Sequence, residues 1–169
     1  MTLTAAQNTT LKAFILADAT LNAFPNDEDG ANSIAIILNQ QASPDYTVFK
    51  TFVPLGEVGD AFDGDEFESL TTAETGRLTA WAAYSVVSDG QTTGAGVNPS
   101  LPDRRLFFDQ IFNAAGGTET RPRLAILWRR LATTIEQLFA TGTGSDADPA
   151  ILDFEGNITR QEVNIARNS

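Results

Sequence analysis

The 169-residue chain contains no cysteine and no histidine. Without cysteine there are no disulfides, no thiolate metal ligands and no thiol nucleophile, a composition that suits a reducing cytoplasm. Without histidine the Ser–His–Asp constellation and the usual zinc ligand sets are lost as well. No long apolar run is present, and the opening Met1-Thr2-Leu3-Thr4 lacks a basic start, so neither a signal peptide nor a membrane partner is expected. Positive charge is scarce: 11 lysines and arginines stand against 22 acids, a formal net charge of -11. Phosphate contacts need clustered cations, so general nucleic-acid binding is not expected.

What the chain does have is helical periodicity. In 120–142, Leu124, Leu127, Trp128, Leu131, Ile135, Leu138 and Phe139 recur at three-and-four spacing, which predicts one long helix. Thr120 with Pro122 would open it and Gly142 would close it. The pairs Thr4/Gln7, Thr71/Glu74 and Thr159/Glu162 are capping-box signatures that open further helices. One more helix carries Ile34, Ile37 and Leu38, and another runs from Ser100-Leu101-Pro102 through Leu106, Phe107, Phe108, Ile111 and Phe112 to Gly116-Gly117. The aromatic cluster of that last helix is either core or shared between subunits. The stretch 46–54 is β-branched and aromatic between prolines, which reads as an extended arm or a short strand pair; 56–70 reads as an acidic loop and 89–99 as a flexible connection. The length fits one domain, 1–169, able to bury about two thirds of its unfolded surface. The expectation is therefore a mainly α fold, a bundle of five or six helices with one extended arm or small β-hairpin at about 45–70.

Charge is segregated along this sequence. Across 104–130 six arginines face only Asp109 and Glu119, whereas 57–68 holds six acids and no base. Such segregation predicts unlike surfaces that meet within the fold or between subunits, or else a solvated acidic loop beside an ordinary amphipathic helix.

Candidate chemistry is thin. Asp60, Asp63, Asp65, Glu66 and Glu68 offer oxygens to a hard cation, but counting from Asp60 places Phe62 and Gly64 at the third and fifth positions, so the EF-hand pattern fails. Gly142-Thr143-Gly144-Ser145 has no following lysine and does not join a strand to a helix, so it is not a phosphate loop. The sequons at Asn8 and Asn157 mean nothing without secretion. No spacing selects a pair of carboxylates for acid–base work, so a carboxylate-based hydrolase has no support and no enzymatic activity or cofactor is expected.

The run Leu138-Phe139-Ala140-Thr141-Gly142-Thr143-Gly144-Ser145-Asp146-Ala147-Asp148-Pro149-Ala150 is followed by Phe154-Glu155-Gly156, Arg160-Gln161-Glu162-Val163 and Ala166-Arg167-Asn168. Together these resemble a family of small virion proteins of tailed bacteriophages, the head-to-tail connectors or adaptors. The opening Met1-Thr2-Leu3-Thr4-Ala5-Ala6-Gln7, Leu11-Lys12 and Asp29-Gly30-Ala31 are also similar to that family, while 56–98 departs from it. The resemblance implies a ring, usually dodecameric, that joins the portal to the tail or to a stopper or terminator protein in the virion neck, after assembly in the host cytoplasm. DNA would pass through its ejection channel without sequence-specific binding. Under this implication Arg121, Arg123, Arg129 and Arg130 would meet acidic loops of a neighbour or of the portal, and an arm bearing Phe49 and Phe52 would embrace the next subunit.

A C-terminal segment at about 142–169 would dock through Asp153, Phe154 and Glu155, with Phe154 as apolar anchor; the alternative is that 151–154 folds back to close the core. A capsid cement or decoration protein, or another neck protein, is the competing role.

Overall fold

The capping boxes read in the sequence do start helices. A computed structural model of the chain describes residues 2–88, 96–114 and 117–169, with the side chains of 82–88 and Ala114 outside the description. The chain is mainly α, 55% helical, with ten helices and six short strands among the described residues. It divides into two compact units, Met1–Val48 with Leu131–Ser169, and Phe49–Arg130.

In the first unit α1 (Ala5–Ala17) opens on the reciprocal Thr4–Gln7 bonds, and Asp18 then caps α2 (Ala19–Asn22). The Asp27 carboxylate caps α3 (Glu28–Leu38), whose first turn carries Glu28 and Asp29 where the helix dipole favours them. At the other end of the chain, α10 (Arg160–Asn168) starts at the Thr159–Glu162 box and packs on α3 and α1. Leu11, Ile15, Ile34, Leu38, Val163 and Ala166 make the centre of this core, joined by Ile135, Phe139 and Phe154. The Asn39 side chain exchanges two 2.8 Å hydrogen bonds with the Ile158 backbone, which fixes the chain entering α10.

Strands β5 (Ala140–Thr141) and β6 (Ile151–Leu152) pair antiparallel, Ala140 opposite Leu152. The loop between them is not loose. The Thr47 amide donates to the Gly144 carbonyl at 2.7 Å, the Thr47 hydroxyl to Asp146 at 2.7 Å, and the Ala150 amide to the Thr47 carbonyl at 2.9 Å. Gly144 has φ +68°, and a Cβ there would lie 2.1 Å from the Tyr46 ring. Gly144→Ala is therefore expected to lower stability by about 1–2 kcal/mol from the left-handed backbone alone, more once the ring is displaced; a denaturant titration checks it.

In the second unit β2 (Val53–Pro54) pairs antiparallel with β3 (Gly96–Val97). It runs straight into α4 (Leu55–Asp60), and α5 (Gly64–Glu68) follows, capped by the Asp63 carboxylate. Next come α6 (Thr72–Ser88), opened by Thr71 and Glu74, α7 (Pro102–Ala114) and α8 (Thr120–Leu127). The core here is aromatic: Phe108 lies 4.9 Å from Trp81 and 5.5 Å from Trp128, and Phe62 lies 4.8 Å from Phe112. Val53, Val58, Val97, Ile111 and Leu124 fill the remainder. The strands β1 (Thr47–Phe49) and β4 (Arg129–Leu131) form a two-stranded sheet.

Three expectations need correcting. The long helix over 120–142 does not exist: α8 stops at Leu127, β4 intervenes, and α9 (Thr134–Leu138) begins afresh at a Thr133–Glu136 capping box. Its single apolar stripe serves two cores, Leu124 and Trp128 in the second unit, Ile135 and Phe139 in the first. Thr120 is not a cap, since its amide donates to Glu66 and its hydroxyl accepts from the Asp63 amide; Gly142, with φ +132°, turns the β5–β6 hairpin. The acidic stretch 56–70 is not one loop but carries two short helices, because Asp63 caps α5 and acids occupy the first turns of α4 and α5. The stretch 45–70 thus holds β1, β2, α4 and α5, and β1 and β2 pair with β4 and β3 rather than with each other. The flexible connection expected at 89–99 lies outside the described residues up to residue 95, as does Gly116.

Candidate assembly surface

The acidic run and the arginine-bearing helix meet inside the second unit. Glu66 is buried at the start of α8, where one carboxylate oxygen accepts from the Thr118 hydroxyl at 3.1 Å and the Glu119 amide at 2.9 Å. The other accepts from the Thr120 amide at 2.9 Å. Free amides at a helix N-terminus seek an anion, and Glu66 supplies it from a distant stretch of chain. The Thr120 amide bond holds the Glu66 carboxyl at about 2, with help from Glu119 and Thr118 and against burial, which pushes it up.

The arginines follow the same logic. Arg123 pairs with Asp63 at 3.2 Å and with Glu119 at 3.6 Å, and Arg121 pairs with Asp109 at 3.1 Å while donating to Asn113. Arg129 and Arg130 lie half-buried in β4 and already have interaction partners. Phe49 is half-buried beneath the Arg105 guanidinium, 3.8 Å from the ring centre, and burial lowers the pKa of that guanidinium. The Phe52 ring packs on Gly96 so closely that a Cβ there would sit 2.2 Å away. Both aromatics therefore belong to the second unit's own packing.

The C-terminal trio lies in the first unit. Asp153 and Glu155 are exposed, but Phe154 is 4% exposed with its ring 5.8 Å from Phe139. As an exposed anchor Phe154 is corrected: burial against Phe139 removes it from any partner. It folds back as the alternative had it, into the core that α1, α3, α9 and α10 share.

Sequence reading missed a groove between α4 and α8 in the second unit. Ala61, Leu127 and Ile126 line it, with Glu57, Asp60 and Arg123 at its edges. Ile126 is 63% exposed, the most exposed large apolar side chain among the described residues. The signal was available, because Ile126 is the apolar residue of that segment that falls off the stripe formed by Leu124, Leu127 and Trp128.

Among the described residues no three acidic side chains converge as a metal would require, and no helix is long and apolar enough to cross a membrane. The site is an α-rich surface of apolar and charged patches. No family model, curated protein or solved structure matches the chain.

Proposed function

We propose that this chain is a non-enzymatic structural component of a phage neck, a ring-forming adaptor between portal and tail around the DNA channel. The disposition of charge carries the reading. Arg121, Arg123 and Arg160 are held in ion pairs, Arg167 donates to the carbonyls of Phe24 and Pro25, and Lys12 donates to the Ser169 carbonyl. Glu57, Asp60, Asp65, Glu68, Asp103 and Asp153 meanwhile stay exposed. A ring of such subunits presents phosphate with a repelling wall, which lets DNA slide through without sticking. The segment 138–168, whose sequence resembles the connector family, supports the same reading.

Copy number tests it. A closed ring requires about a dozen copies per particle, all at the neck, whereas a shell decoration requires hundreds spread over the head. Quantitative gel densitometry of purified virions, with gold-labelled antibody to locate the copies, is expected to give the smaller number at the neck. Copies over the head surface, or none in the particle, would overturn the proposal.

A further inference from the structure

The α4–α8 groove carries two charges that the fold does not use. Glu57 and Asp60 are exposed at its edge and make no ion pair among the described residues, while Arg123 beside them is already neutralised by Asp63 and Glu119. Ile126 stands out between them with most of its surface in water. An apolar side chain flanked by unpaired acids suits a partner that brings small apolar surface and a cation.

The same unit displays such a surface. On α6, Thr72, Thr75, Gly76, Thr79 and Ala80 line one shallow exposed face beside Leu70. Arg77 stands next to it, exposed and without an ion pair among the described residues. Glu74, three positions before it, feels its charge, but that carboxylate is held first by the Thr71 amide at 2.7 Å and the Thr71 hydroxyl at 2.8 Å. Gly76 faces open space, with nothing within 4 Å of the position a Cβ would take. A glycine at this position leaves the exposed face free of side-chain bulk.

We propose that the α4–α8 groove of one copy receives the Arg77-bearing face of α6 from a second copy, with Ile126 set against Gly76 and Ala80 and with Glu57 and Asp60 facing Arg77. The inference rests on the ring reading above and deepens it by naming the two faces. Because the groove and the α6 face are different patches, the contact runs head to tail, and a rotation that closes it gives a ring. In a closed ring each copy makes the contact twice, which holds the ring more firmly than a single pair.

The absence of native cysteine gives a clean test. Gly59→Cys on α4 and Ala80→Cys on α6 are exposed and leave the proposed charges intact. The two single-cysteine proteins, mixed and treated with a short bismaleimide, are expected to link to each other in preference to themselves. They should also link in preference to a Gly59→Cys and Thr9→Cys mixture. Arg77→Glu in the Ala80→Cys partner is expected to cut the mixed product more than about tenfold, and Glu57→Arg with Asp60→Arg in the Gly59→Cys partner to restore it; circular dichroism confirms that each variant is folded. Equal yields for all mixtures, or a mixed yield indifferent to charge, would overturn the contact. Rings that form in particles without this link leave the adaptor reading standing and this inference refuted. A link with charge rescue, from a protein absent from phage necks, does the reverse.

Discussion

Phe154→Ala is expected to destabilise the first unit by about 3–5 kcal/mol, the range for truncating a buried aromatic. The ring is 4% exposed and sits edge-on to Phe139, within a core that includes Ile135, Ile158 and Val163. Its backbone is held as well: the Asp153 amide donates to the Phe139 carbonyl at 3.1 Å, and the Gly156 amide donates to Glu136 at 3.0 Å. The site therefore cannot collapse easily around the missing ring, and the cavity cost is retained in full. Asp153→Ala, exposed and next in sequence, is the contrast, expected to change stability by less than about 0.5 kcal/mol. Denaturant unfolding of the two variants separates a core phenylalanine from a docking anchor. An anchor would show the opposite pattern, a stable Phe154→Ala protein that fails to assemble.

That pair of outcomes bears on how far a linear sequence can be read. Local signals were legible: Thr4/Gln7, Thr71/Glu74 and Thr159/Glu162 each place a hydroxyl and a side-chain acceptor three residues apart, and each opens a helix. The Thr133/Glu136 pair has the same form but sits inside a stripe of perfect helical spacing. Periodicity records which residues are buried, not which core buries them. When the two halves of 120–142 feed different cores, the spacing survives the break between them.

Long-range causes were not legible. The helices of 55–68 depend in part on Glu66 reaching the amides of Glu119 and Thr120, more than fifty positions away. Tyr46 and Thr47 look like an arm until the hairpin loop of 142–150 arrives to take their hydrogen bonds. The candidate surface was half visible for the same reason. Ile126 announces itself by falling off the stripe, whereas its neighbours Glu57 and Asp60 become neighbours only when α4 packs on α8.

Glu66 gives the largest expected pH effect. Its ordinary value of 4.5 falls to about 2 in the fold, chiefly through the Thr120 amide. A group whose folded pKa is depressed contributes stability that is fully present above the unfolded value and is lost as pH falls through the folded one. Glu66's share of the second unit's resistance to denaturant is therefore expected to be complete well above pH 4.5 and to be lost progressively toward pH 2. Glu74, also held below its ordinary range by the Thr71 amide and hydroxyl, adds a smaller term of the same sign. Glu66→Gln removes the titration and turns an amide donor toward amides that need an acceptor, so the variant starts from lower stability and its profile over this window flattens to the residual slope from Glu74. Glu66→Ala is expected to fall further, leaving the Thr118 hydroxyl and the amides of Glu119 and Thr120 without their carboxylate, with Thr120 itself wholly buried. Unfolding midpoints measured from pH 7 down to pH 2 for the three proteins decide it. An unchanged slope in Glu66→Gln would mean that the start of α8 is held by something other than this carboxylate.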